Sequence, residues 1–481
     1  MRTFNMMFSL IVVVTAIAVS NPVAARVLTE EEVLRTSAEQ FPAILESLAQ
    51  RRAAEGRLTE ANGAFDLVFS AEARSRATGF WSGDVASASV RQTLRTLGGS
   101  IYGGYRLSGG DFPTYEDEYF TNSGGELKIG ALISLLRDRG IDERRFRTND
   151  AELALKQADL EVLLTQIGVQ HRAANAYWRW VAAGKRLSVF TTLRELAEGR
   201  EAGLMEQIRQ GALASIYVTE NRQNIMRRRR LELDARRNFE RAANQLAFYY
   251  RDAAGNPTLP TNDNLPSDQA LASWPAQLKI DVEQSISSAI SARPDLAIER
   301  VVVKRASARQ RLARNELQPR LDVTAEVSRD FGAIAQGGPS RDSTDTTLGV
   351  RFSVPFHRRE AKGRLSAAQA EFEAAQLRRR RTLESIELEV RNIALDLATA
   401  QGIAEIASQE VEQSRTMEIA ERERFANGAS DFFLVNLREE AAADARVRLI
   451  DAQFSLQASR IDYSAASVDL DQLYLSSGGM Y

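Results

Sequence analysis

A stretch beginning at Phe41, FPAILESLAQRRAAEGRLTEANGAFDLVFSAE, returns in outline from Arg293 as RPDLAIERVVVKRASARQRLARNELQPRLDVTAE. Each copy has a proline at its start and an Ala-Glu pair near its end, Ala71 and Glu72 in one, Ala325 and Glu326 in the other. A chain written twice on one plan is expected to fold into two like halves, because each copy has the same faces to bury.

The end of each copy changes period. From Leu321, the residues Leu321, Val323, Ala325 and Val327 alternate with Asp322, Thr324, Glu326 and Ser328. This is a spacing of two, which as a β-strand gives one apolar and one polar face. A second strand follows in each half, LKIGALISLL from Leu127 and TLGVRFSVPF from Thr347, aligned at Gly130 with Gly349 and at Ser134 with Ser353. In the latter, Leu348, Val350, Phe352, Val354 and Phe356 make the apolar face.

After each second strand comes a long helical pattern, roughly Asp142 to Gln210 and Ala361 to Asn427, ended by a glycine turn in IRQGALASIYV and FANGASDFFLV. At 1.5 Å per residue each such helix spans on the order of 100 Å. The chain then turns back. Ala442, Ala445, Leu449, Ala452, Leu456, Ser459, Tyr463, Ala466, Leu470 and Leu473 are spaced by alternating threes and fours, a coiled-coil seam that Ala235, Phe239, Ala242, Leu246 and Tyr249 repeat in the first half. The shorter helices are expected to stack nearly end to end beside each long one.

The boundaries that follow are an export signal at 1–25, a first repeat at 26–250, a Pro/Asn/Asp-rich connector at 251–283 wrapped outside the rod, a second repeat at 284–475 and a short tail at 476–481. The signal reading rests on Arg2, an apolar run centred on residues 11–19 and small residues ending at Ala25, so cleavage is expected between Ala25 and Arg26. That run is too short for a spanning helix.

The chain has no cysteine, which excludes disulfides, thiolate catalysis and Cys-based metal sites. Its two histidines, His171 and His357, fall in separate segments and read as surface residues. The formal net charge of −2 gives no sign of a nucleic-acid partner. No catalytic triad, phosphate loop, cofactor motif or metal cluster is apparent, so neither enzymatic chemistry nor a cofactor is expected.

Two strands per half make a core set of four, whereas a small closed barrel takes about eight. Amphipathic strands in an exported protein fit a membrane barrel with lipid outside and water within, closed by several chains. Asp322, Glu326 and Arg351 would then face the lumen, and Leu321, Val323, Val350 and Phe352 the lipid. The competing arrangement, a soluble sandwich, gives no reason for two long helical hairpins to be joined to it. In the first half, SASVRQTLRTLGGSIYGGYRLSGGDFPTYEDEYFTNSGG separates the strands. It reads either as an extra hairpin or as an extracellular loop, with Tyr102, Tyr105, Phe112, Tyr115 and Tyr119 as interfacial aromatics.

The order of helix, strand, strand, long helix, glycine turn and helix, given twice, resembles the TolC-type outer-membrane efflux proteins. The segment ARPDLAIERVVVKRASARQRLARNELQPRLDV from Ala292 is very similar to that family's approach to its third strand, and RERFANGASDFFLVNLREEAAADARVRL from Arg422 to its second helical hairpin. The resemblance covers nearly the whole mature chain. It implies a mainly helical protein with a small β part, a homotrimer whose outer-membrane barrel has about 12 strands, and a helical tunnel across the periplasm. It further implies docking to a periplasmic adaptor and an inner-membrane pump.

Carried over by position, Gly211, Ala212, Leu213, Gly428, Ala429 and Ser430 are the adaptor-contact tips. Family members often carry aspartates shortly after the second tip that ring the closed pore. This chain has Leu434 and Leu437 there, with Asp431 and Asn436 nearby as candidates for a constriction. The arginine runs MRRRRLELDARR and LRRRRTLESIELE read as solvated helix faces, with an adaptor contact or an inter-protomer salt bridge as the competing role. The function these features imply is passive conduction through an outer-membrane channel of a tripartite efflux or type I secretion system. The alternative is a periplasmic coiled-coil scaffold or adaptor without a pore.

Overall fold

A computed structural model describes residues 26–267, 280–335 and 339–475. The expected signal with Ala25, the tail at 476–481 and part of the connector lie outside the described residues.

The helix before each first strand is broken by its proline. Helix α1 (Glu30–Gln40) stops at Phe41 and α2 (Pro42–Gly63) starts at Pro42. The residue before a proline is pushed out of helical geometry, and Phe41 is extended, at φ −74° and ψ 126°. The second half breaks in the same way at Arg293, between α5 (Val282–Ala292) and α6 (Pro294–Asn315).

The long helices are α3 (Glu143–Arg209) and α7 (Arg359–Ala426), of 67 and 68 residues, within two residues of the lengths read from the sequence. The returning helices are α4 (Ile216–Ala247) and α8 (Phe432–Ser467). Helices α1, α2 and α4 pack along α3, and α5, α6 and α8 along α7. Phe41 at the α1–α2 break lies 5.1 Å from Phe248 and 5.3 Å from Tyr249, which follow α4, so these shorter helices meet near their ends as expected.

The seams are buried. Ala235, Phe239, Ala242 and Leu246 on α4, and Ala442, Ala445, Ala452, Leu456, Ser459 and Ala466 on α8, are all shielded from solvent. The largest core lies at mid-rod, where Trp180 and Tyr177 of α3 pack with Phe239 of α4 and Leu34 of α1. The α8 seam ends sooner than its periodicity suggests. The helix stops at Ser467, where Val468 turns left-handed at φ 58°, so Leu470 and Leu473 fall beyond it.

The strands form one antiparallel sheet, β1 (Leu67–Ser75), β2 (Gly83–Thr93), β3 (Ser100–Gly110), β4 (Glu126–Ser134), β5 (Arg320–Asp330) and β6 (Thr344–Ser353), in that spatial order. The first half therefore contributes four strands, not two. The stretch left open between hairpin and loop contains both, the hairpin β2–β3 and a connection at 111–125. Val354 and Phe356, expected on the apolar strand face, lie past the end of β6, cut short by Pro355. The sheet stays open, with β1 and β6 as its two edges.

Candidate functional site

Neighbours across an antiparallel ladder share a face, so the register sorts every strand residue. One face carries Glu72, Arg74, Arg91, Tyr102, Arg106, Glu126, Lys128, Asp322, Glu326 and Arg351. The other carries Leu67, Phe69, Val90, Ile101, Tyr105, Leu107, Leu127, Ile129, Leu321, Val323, Val327, Leu348, Val350 and Phe352. On the central strands β3–β5 the polar residues are buried or half-buried, whereas Glu72, Arg74, Arg91 and Arg351 on the outer strands are exposed; much of the apolar face is exposed as well. Phe69, Leu348 and Val350 are 68%, 76% and 72% exposed, while Asp322 is buried and Glu126 nearly so.

The polar face is bonded across its strands. Glu326 takes Lys128 Nζ at 3.0 Å and the Tyr102 hydroxyl at 2.8 Å. Arg106 meets Glu126 at 2.6 Å, and Asp322 accepts from Ser134 at 2.9 Å and from Arg320 at 2.7 Å. Of the expected lumen residues, Asp322 and Arg351 are register partners, and Glu326 lies on the same face. The four residues expected to meet lipid lie on the apolar face, Val350 and Phe352 exposed, Leu321 and Val323 half-buried.

The five aromatics of the inserted stretch do not form a single interfacial set. Tyr105 lies on the apolar face and Tyr115 is exposed in the 111–125 connection. Tyr102, Phe112 and Tyr119 instead go to the polar side, through contacts between residues distant in sequence.

At the other end of the rod the two glycine turns have one geometry. Gly211 donates to Ile208 and Ala212 to Gln207, each at 2.9 Å. Gly428 and Ala429 repeat this to Phe425 and Arg424 at 3.0 and 2.8 Å. These paired bonds close a helix through a left-handed residue, and φ is +73° at Gly211 and +70° at Gly428. No neighbour crowds either glycine, so the backbone angle alone calls for glycine there. Gly211, Ala212, Gly428 and Ala429 are exposed, Leu213 and Ser430 half-buried, and Ser430 donates to Glu421. The tips are linked by Tyr217 and Phe432, edge-on at 5.8 Å.

Behind the tips, four helices converge on one carboxylate. Glu439 of α8 binds Arg200 of α3, Arg228 of α4 at 3.0 Å and Arg422 of α7 at 3.0 Å. Burial by itself raises the Glu439 carboxyl, but the guanidiniums of Arg200, Arg228 and Arg422 outweigh it and hold its pKa below the usual carboxylate range. Arg228 also donates to the Leu193 carbonyl at 2.9 Å. Asn436 is buried and accepts from Arg200 at 3.2 Å, while exposed Asp431 caps α8 by accepting from Phe433 N–H at 3.1 Å.

Within MRRRRLELDARR the reading as a solvated face fails at Arg228, which is buried, while Arg227, Arg229 and Arg230 are exposed. Arg227 pairs with Glu440, Arg228 with Glu439 and Arg229 with Glu198, all partners on other helices of the same chain. The second run is exposed, with Arg380 on Glu384 at 2.8 Å one turn on. Sequence spacing could not show the first set, since Arg228 and Glu439 are 211 residues apart. His171 is half-buried and meets Asp462 at 2.6 Å.

Among the described residues no cluster of His, Cys, Asp and Glu has the makings of a metal site, and no helix is long and apolar enough to cross a membrane.

Residues 285–466 match the family model described as outer membrane efflux protein. No curated protein matches the chain by sequence. Among solved structures, the Campylobacter jejuni CmeC outer membrane channel is 14% identical, with a TM-score of 0.63 over 91% of this chain and 85% of that one. The Vibrio cholerae outer membrane protein VceC is 14% identical, with a TM-score of 0.62 over 91% and 95%. The open-state Neisseria gonorrhoeae MtrE outer membrane channel is 15% identical, with a TM-score of 0.62 over 91% and 88%. At these identities the likeness is one of fold. Residues 285–466 thus carry an outer membrane efflux protein domain, within a chain that has the fold of the TolC-type outer-membrane channels.

Proposed function

We propose that three copies of this chain form a passive conduit across the outer membrane, in a tripartite efflux or type I secretion system. One observation carries the reading: large apolar side chains stay exposed along one face of the sheet, while the charged residues of the central strands β3–β5 are bonded to one another on the other. In water this arrangement is costly, since several large apolar side chains stay exposed on one surface. In a bilayer it is the expected one, with Leu321, Val323, Val350 and Phe352 toward lipid and Asp322, Glu326 and Arg351 toward a watery lumen.

A spanning sheet cannot keep free edges, so β6 of one copy pairs with β1 of the next. Every residue of β1 and nearly every residue of β6 is exposed in the single chain, which supports that closure. The rod continues the lumen into the periplasm. Its tips, Gly211, Ala212, Leu213, Gly428, Ala429 and Ser430, meet an adaptor that connects to an inner-membrane pump, and the tunnel narrows near exposed Asp431; Asn436, buried against Arg200 within the chain, drops out as a constriction residue. Opening is a shift of the helical hairpins against each other, held back by the Glu439 cluster. The chain's own work is conduction, and energy comes from the pump.

The test is extraction and assembly of the full chain. The expected result is a trimer in outer-membrane fractions that needs detergent for release and conducts ions in planar bilayers. A single chain dissolved in plain buffer overturns the reading and favours a periplasmic scaffold.

A further inference from the structure

The hairpin β2–β3 enlarges the sheet to six strands, so closure by three copies gives 18 strands where the family resemblance implies about 12. Strand numbers of 16 to 18 leave an open aqueous channel, wide enough to admit harmful solutes from outside. Resting on the channel reading above, we propose that segment 111–125 is an inward-folded strap that narrows this outer mouth and sets the size limit for passage.

The position of the strap follows from chain direction. β1 and β5 start, and β4 and β6 end, at the helical end of the sheet, so 76–82, 111–125 and the described ends of the β5–β6 connection, 331–335 and 339–343, lie at the far end. Instead of extending outward, segment 111–125 turns back over the charged face. The ring of Phe112 lies over Gly83, so close that a Cβ there would be 2.7 Å from it. Only glycine leaves room for the ring. Phe112 is 6% exposed and packs edge-on against Phe120 at 5.1 Å. The Tyr119 ring lies 4.5 Å from the guanidinium of Arg74, a residue of the charged face, and lines a half-open cavity of about 240 Å³ together with Glu72, Ser87, Arg106 and Lys128. The Ser108 hydroxyl, on that face, donates to Thr121 Oγ1 at 3.3 Å.

The strap is tied down at both sides of the sheet. Near the β1 edge, Arg76 donates to both carboxylate oxygens of Glu116 at 2.8 Å. Toward the β5–β6 connection, Arg341 donates to the Asp117 carbonyl at 2.7 Å, and Asn122 N–H to Asp330 at 2.9 Å. Of the strap's four carboxylates, Glu116 and Asp117 pair with arginine, while Asp111 and Glu118 are exposed.

The chain lacks cysteine, so Ser87→Cys puts one thiol beneath the strap. Intact cells would be treated from outside with a small impermeant maleimide and with one on a polyethylene glycol of about 5 kDa. With the strap in place the small reagent labels readily and the large one is slower by about tenfold or more. Adding Phe112→Ala with Arg76→Ala raises the large reagent's rate about tenfold and leaves the small one's within about twofold. Gly83→Val, which displaces Phe112 and leaves the arginine ties in place, shifts the ratio the same way. Equal labelling by both reagents before strap release, or an unchanged ratio in both strap variants that still form trimers, overturns the proposal. Failure of the small reagent to reach Ser87→Cys in the strap-released variants as well overturns the channel reading instead.

Discussion

Arg228 and Glu439 meet at 3.0 Å with both side chains wholly buried, joining the returning helix of the first half to that of the second. Around them Arg200 and Arg422 complete a ring of three cations on one anion. A buried pair adds little net stability against an apolar replacement, but removing one partner leaves uncompensated charge in a dry site.

Glu439→Gln is therefore expected to destabilise the tip half by about 3 to 5 kcal/mol. Limited proteolysis of detergent-solubilised protein should show faster cleavage near residues 200–230 and 420–440. The mid-rod core around Trp180 should stay protected.

The pH dependence has a definite sign. Because the folded Glu439 carboxyl lies below its unfolded value, its contribution is fully present above that unfolded value, about 4.3. It is lost only as pH falls through the depressed folded value. The stability difference between wild type and Glu439→Gln, read from thermal unfolding, should be flat from about pH 8 to pH 5.5 and shrink below about pH 4. A difference that grows on acidification would exclude the ion cluster as its source.

Val350→Arg puts a charge at mid-strand on the exposed apolar face. A cost of about 2 to 4 kcal/mol is expected if that face meets the bilayer core, and less near its rim. Outer-membrane yield of the trimer should fall while the isolated rod keeps its helical circular dichroism. Thr347→Arg, facing the other way beside Glu326, should be tolerated.

Gly211→Val and Gly428→Val should each strain a left-handed turn by about 1 to 2 kcal/mol without any packing clash. Ala429→Arg, exposed one residue further on, should leave unfolding unchanged but lower efflux by weakening adaptor capture. Efflux and melting temperature measured together separate the two effects.

Much of the architecture was legible because it is written in short-range periodicity. A spacing of two marked the strands, the alternation of threes and fours marked Ala442 through Ala466, and Gly211 and Gly428 marked the tips. The repeated order of elements also pointed to the outer membrane efflux protein family that residues 285–466 match. Less legible was the inserted stretch. Gly103, Gly104, Gly109 and Gly110 weaken the apolar alternation of β3, and an extra hairpin could not be told from a loop.

By itself the sequence determined which faces are apolar and where the long helices run, because these depend on residues within a few turns of one another. Tertiary structure decided which charges meet and where the inserted aromatics go. Arg228 finds Glu439, and Phe112 lies over Gly83, only once distant segments are packed at fixed distances. No local periodicity encodes such pairings, since they are set by the geometry of whole helices and strands.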